Sequence, residues 1–167
     1  MKNSLKSCAI GVLMLFLHSA SKSQVNLQKE INDQVWKPFI EGFSTNNEQL
    51  FKSVHSKDVI RVMQDDNMIW GYAQYFPEQK AGAANSWQNH KKSIELRFIQ
   101  RIAGNDKAFD VGYYNTRSTS PDGKQRSIYG KFHVVLRKEN GVWKILVDAD
   151  SGKGATEEEF KKAAAME

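Results

Sequence analysis

Residues 130–151 read GKFHVVLRKENGVWKILVDADS. Asn140-Gly141 stands between two alternating segments, and Asn-Gly in that setting is the strongest short-range hairpin signal, because both residues tolerate the positive φ of a tight turn. A two-residue loop pairs Glu139 with Val142. On one side Lys138 then faces Trp143, Leu136 faces Ile145, Val134 faces Val147 and Phe132 faces Ala149. That side is apolar except at its turn end and is the expected core face. The other side pairs Arg137 with Lys144, Val135 with Leu146, His133 with Asp148 and Lys131 with Asp150, a mixed and charged surface. A slip of one residue would exchange the faces of one strand, so the pattern supports this register.

Upstream the chain continues as strands. Ile94, Leu96 and Phe98 alternate with Glu95 and Arg97; Ile99 breaks the alternation and Ile102 resumes the apolar side. After a turn at Ala103-Gly104-Asn105-Asp106, Phe109, Val111 and Tyr113 form a second alternating set. Asp122-Gly123, after Pro121, marks the next turn. A two-residue loop there puts Val111 opposite Val134, Tyr113 opposite Phe132 and Asn115 opposite Gly130 on the core side, and is preferred because it groups apolar residues. A three-residue loop with a bulge would reverse the faces.

The first half of the chain is helical. Ile31, Val35, Phe39 and Phe43 recur every fourth residue, with Trp36 and Ile40 widening the stripe. Pro38 inside this stripe predicts a kink or a break. A second helix begins at Asn46 or Asn47, with Leu50, Phe51 and Val54 on its apolar side. Val59–Met63 and Met68–Trp70 then flank the turn cluster Gln64-Asp65-Asp66-Asn67, a small hairpin. One helical turn over Tyr72–Phe76 and a loop over 77–89 follow. At the other end, Thr156-Glu157-Glu158-Glu159 opens a short helix within a C-terminal tail, 153–167, docked weakly through Phe160. Helices first and strands after indicate an α+β domain.

This order, with Trp36-Lys37-Pro38-Phe39, His55-Ser56-Lys57-Asp58, Gly130-Lys131-Phe132 and Asn140 to Ser151 in their places, resembles the nuclear transport factor 2-like superfamily. It is more similar still to that superfamily's SnoaL-like secreted bacterial branch of unknown function. The resemblance spans about residues 28–152. It implies a cone-like roll, cystatin-like in outline, in which a curved antiparallel sheet wraps a long N-terminal helix and leaves a pocket at one end. It also implies a homodimer through the outer sheet face. Its members include isomerases, cyclases, hydrolases and proteins without catalysis, so the fold does not name a reaction.

The first 23 residues read as an export signal. Lys2 and Lys6 precede a short apolar run, Ala9 to Leu17, and Ser21-Lys22-Ser23 offers small residues before a cleavage point at Ser23-Gln24. The run is well short of the ~20 residues that span a bilayer. A single domain over 24–167 is expected, periplasmic or secreted, with no stable membrane insertion. Of 24 basic and 19 acidic residues, the leader carries three lysines and no acid, so the remainder has 21 against 19, a net charge of +2. That balance argues against nucleic-acid binding, which needs a clustered basic face. The one cysteine, Cys8, lies in the leader, which excludes a disulfide and a thiolate metal site in the rest.

Candidate site residues follow from chemistry. A carboxylate in an apolar pocket has a raised pKa and can take a proton from carbon, which nominates Asp148, Asp150 and, further off, Asp110. The register places Asp148 and Asp150 on the charged face, paired with His133 and Lys131. Asp150 is the better catalytic candidate because strand ends and bulges re-aim side chains. His133 beside Asp148 has the outline of an oriented base, against a plain cross-strand ion pair. The histidines His55, His90 and His133 lack metal-ligand spacing, and no phosphate loop or dinucleotide fingerprint is present, so no metal and no cofactor are expected. Trp36, Phe39 and Phe43, Trp70 and Tyr75, and Trp87, Phe98 and Tyr113 are expected to point inward or line the mouth, with Asn115 and Arg117 adding polar contacts for a small apolar or amphipathic molecule. An enzyme of the isomerase, cyclase or hydrolase kind needs an inward acid or histidine of raised pKa. A non-catalytic dimeric module needs a cone filled with side chains.

Overall fold

A computed structural model of the chain describes residues 24–78 and 91–167. The expected leader, Trp87, His90 and most of the loop after Pro77 lie outside these residues. The apolar stripe forms one long helix, α1, over residues 24–44. Pro38 does not break it. A π-helical turn over Asn32–Trp36 comes just before, and Lys37 N–H reaches back five residues to the Asn32 carbonyl; the α-helix resumes over Lys37–Ser44 with Pro38 in its first turn. Proline lacks a donor, and a wider turn ahead of it relieves the missing bond. The stripe is buried: Ile31 and Val35 are 0% exposed and Trp36 is 2%.

Asn47 caps helix α2 (Glu48–Ser53), its side chain accepting from Leu50 N–H at 3.0 Å. Strands β1 (His55–Met63) and β2 (Met68–Trp70) make the expected hairpin, and a single turn, α3, spans Tyr72–Tyr75. The long strands are β3 (Lys91–Ala103), β4 (Lys107–Thr119), β5 (Gln125–Glu139) and β6 (Val142–Ser151). Helix α4 (Glu157–Lys162), capped by Thr156, and a short strand β7 (Ala164–Ala165) close the chain. The seven strands form one sheet in the order β2-β1-β6-β5-β4-β3-β7. The sheet is mixed: β1 runs parallel to β6, while the β1–β2 hairpin, the β3-to-β6 run and the β3–β7 pair are antiparallel. Together these elements make an α+β roll with α1 against the inner face.

Two registers differ from the sequence expectation. At the Asn140-Gly141 end the pairing is as expected, with Lys138 opposite Trp143 and Leu136 opposite Ile145, and both turn residues take positive φ (50° and 83°). Beyond Leu136 the register shifts, and Leu146 is an extra residue, a bulge. Val134 therefore faces Asp148 and Phe132 faces Asp150; His133 faces Ala149. At the Pro121 turn the loop has three residues, Ser120 N–H bonding the Lys124 carbonyl with Gly123 at φ 82°. A left-handed third position after a turn is the three-residue hairpin loop, and it reverses the faces of β4. Ala108, Asp110, Gly112 and Tyr114 face inward with Leu136, Val134, Phe132 and Gly130, while Val111, Tyr113 and Asn115 turn outward. A second bulge, at Ile99, leaves that residue and Ile102, expected on the apolar side, about half exposed (52% and 51%) and brings Arg101 opposite Asp110.

The C-terminal helix is firmly seated. Phe160 is 4% exposed, its ring 5.5 Å from Tyr129 and under the Arg97 guanidinium at 5.0 Å, on the outer face.

Candidate functional site

The inner face and α1 enclose a cavity of about 410 Å3, within the range of small-molecule pockets. One flank is apolar: Trp36, Phe39 and Phe43 from α1, Phe51 from α2, and Ile94 and Leu96 from β3. The other carries charge: Arg61 from β1, Tyr75 from α3, Tyr114 from β4, and Asp148 and Asp150 from β6.

The charged flank is one connected cluster. Arg61 Nη1 lies 3.3 Å from Asp148 Oδ1 and donates to the Asp148 carbonyl at 3.1 Å. Arg61 Nη2 lies 2.6 Å from Asp150 Oδ1. The Tyr75 hydroxyl donates to Asp148 Oδ2 at 2.7 Å and the Tyr114 hydroxyl to Asp150 Oδ2 at 3.0 Å. Tyr114 reaches that far because it crosses Gly130: a Cβ there would stand 2.1 Å from the tyrosine Cζ. The His55 side chain is wholly buried behind Asp148; its Nδ1 bonds the Phe51 carbonyl at 2.8 Å, and its Nε2 lies 3.9 Å from Asp148 Oδ2 without a hydrogen-bond partner among the described residues. A carbonyl only accepts, so the Nδ1 carries a proton.

These contacts set the charge states. Burial works to raise the Asp148 pKa, but His55, Arg61 and Tyr75 outweigh it and hold the carboxyl below the ordinary carboxylate value. Burial opposes the Arg61 charge, and Asp148, Tyr75 and Asp150 more than offset it, so its pKa lies above the ordinary one. Burial, reinforced by the neighbouring carboxylates, pushes Tyr75 far up and Tyr114 up as well. Both phenols stay protonated donors. Burial, and to a lesser degree Lys131, lowers His133. At the mouth, Lys92 sits 4.5 Å over the Phe43 ring, and burial lowers its pKa.

The expected site residues divide. Trp36, Phe39 and Tyr75 line the cavity, as do Asp148 and Asp150, which the bulge at Leu146 turns inward. Neither aspartate pairs with His133 or Lys131; their partner is Arg61. His133 lies on the outer face, away from the carboxylates. Phe98 packs behind the cavity wall, edge-on to Trp36 at 5.8 Å. Trp70 pairs with Arg61 at the sheet edge without lining the cavity. Tyr113 and Asn115 face outward because the β4 register is reversed; Asn115 bonds Ser127 Oγ at 2.6 Å. Arg117 touches the rim, but its guanidinium is directed to Glu95 at 3.5 Å. Asp110 is buried at the back of the core, held by Arg101 at 3.1 Å and 3.2 Å and by the Trp36 Nε1 at 2.8 Å. The sequence reading missed Arg61 and Tyr114. The signal for Arg61 was available: one charge inside the apolar run Val59–Met63.

Among the described residues, no group of histidines, acids or cysteines is placed to hold a metal ion, and no helix is long and apolar enough to cross a membrane. No family model and no curated protein matches the chain. Solved structures do. A nuclear transport factor 2 (NTF2-like) superfamily protein from Salmonella enterica serovar Typhimurium superposes with a TM-score of 0.61 at 15% identity, covering 79% of this chain and 94% of that one. The chain has the NTF2-like fold. An uncharacterised protein with a cystatin-like fold from Caulobacter vibrioides matches this NTF2-like chain at a TM-score of 0.54 and 19% identity, over 74% of it and 87% of the other. The association domain of C. elegans CaMKII matches at a TM-score of 0.54 and 14% identity, over 77% and 98%.

Proposed function

We propose that this NTF2-like domain, of the SnoaL-like kind, binds a small amphipathic molecule in its cavity. One observation carries the proposal: the cone is open, about 410 Å3, with one aromatic flank and one polar flank. A filled cone would have favoured a purely structural module. Asp148 supports binding over general-base catalysis. A base that takes a proton from carbon needs a raised pKa, whereas Asp148 is clamped by Arg61 and held low.

The test is methyl NMR on Ile94 and Ile128, both in the cavity wall, with benzyl alcohol as probe. Shifts at these methyls are expected, and in Ile94→Trp, with the fold intact by circular dichroism, the shift at Ile128 should be lost. Shifts confined to outer-face methyls such as Ile102 would overturn the reading.

We further propose export by cleavage after Ser23, for which the leader pattern is the support; N-terminal sequencing of the mature protein should begin at Gln24. The association-domain likeness supports oligomerisation. Because α4 occupies the outer face near Tyr129, a homodimer would use the part around Ile60, 44% exposed on β1.

A further inference from the structure

We propose that the cavity's ligand is a small lipophilic amine, bound as its cation with the ammonium on the Asp148–Asp150 wall and the apolar part against the aromatic flank. This rests on the reading of the cavity as a binding site and narrows it to a chemical class.

The first ground is charge. Two carboxylates share one guanidinium, since Arg61 is the cation that contacts both Asp148 and Asp150. Both terminal nitrogens of Arg61 are engaged by this cluster. An anionic ligand would therefore meet two carboxylates that already occupy both terminal nitrogens of the guanidinium they share. Taking one charge of a buried pair away from its partner is expensive.

The second ground is the direction of the hydrogen bonds. The Tyr75 proton goes to Asp148 Oδ2 and the Tyr114 proton to Asp150 Oδ2. Behind them, His55 spends its Nδ1 proton on the Phe51 carbonyl. The carboxylate oxygens and the two phenol oxygens of this wall still offer lone pairs. A ligand rich in donors complements that surface. A neutral hydroxyl satisfies the hydrogen bonds alone, whereas an ammonium satisfies both the bonds and the charge.

The third ground is the opposite flank. Trp36 and Phe39 meet edge-on at 5.9 Å, Phe39 and Phe51 are tilted at 4.7 Å, and Phe132 lies 5.7 Å from Trp36. Aromatic side chains accommodate an apolar body. Lys92 stands on β3, three strands from β6 in the sheet, and disfavours a second positive group at that end. The ligand class is thus a monoamine.

The experiment is isothermal titration calorimetry of the purified protein at neutral pH with three probes of one shape: benzylamine, benzyl alcohol and benzoate. Benzylamine is expected to bind about tenfold tighter than the alcohol, and benzoate more weakly than either. In Asp150→Asn the preference for the amine over the alcohol should vanish. Alcohol or benzoate binding as tightly as the amine overturns the amine class and leaves the binding reading standing. Failure of all three to bind overturns the binding reading itself. The three-probe comparison on the unsubstituted protein decides the matter even where Asp150→Asn does not fold.

Discussion

Arg61 holds two carboxylates that come to it from a strand more than 80 residues away in the chain (separations of 87 and 89). Its side chain is 14% exposed and Asp148's is 11%, so the pairs are little screened. Removing it would leave two little-exposed acids facing each other without their shared cation. Arg61→Met is expected to cost about 3–5 kcal/mol in urea denaturation. The sign of the pH effect follows from Asp148. Its folded pKa lies below its unfolded value, so the unfolded state binds more protons in between. The stabilisation is complete above the unfolded value of about 4 and is lost as pH falls through the folded one. In Arg61→Met that acid loss should begin at higher pH. Gly130 acts at the same scale by leaving room for the Tyr114 ring. Gly130→Ala is expected to cost about 1–3 kcal/mol through overpacking, and to move the Tyr114 titration, followed by ultraviolet absorbance, back toward the ordinary phenol value.

At the scale of elements, the sequence was legible where a local rule applied. Asn140-Gly141 set the hairpin turn and its first pairs, Asn47 and Thr156 capped their helices, and the four-residue stripe from Ile31 gave α1. It was illegible where a distant partner decided. Ile145-Leu146-Val147 is a continuous apolar run, so nothing in its pattern marks Leu146 as the bulge. Past that point alternation assigned the charges outward, because the partners that make inward aspartates tolerable, Arg61 first among them, come from other strands and helices distant in the chain. The loop at Pro121 misled for a different reason: Asp-Gly suits two loop lengths, and preferring the more apolar pairing chose the wrong one. Helix α4 also docks more firmly than its length suggested. Phe160→Ala is expected to cost about 3 kcal/mol, measured by thermal denaturation, and to expose Tyr129.

At the scale of the molecule, the order of helices and strands was enough to indicate the α+β roll, and the cavity follows from it. Helix α1 lies against the inner face, Asp110, Arg101 and Trp36 lock the core behind it, and the space that remains lies between the aromatic flank and the Arg61 cluster. The chemistry of that space turns on whether its inward carboxylates are clamped anions or proton acceptors poised near neutrality. Carbon-13 NMR titration of the Asp148 carboxyl separates the two directly. A midpoint below the ordinary aspartate value of about 3.9 is predicted. A midpoint at or above that value would contradict the clamp and reopen the case for an acid–base enzyme.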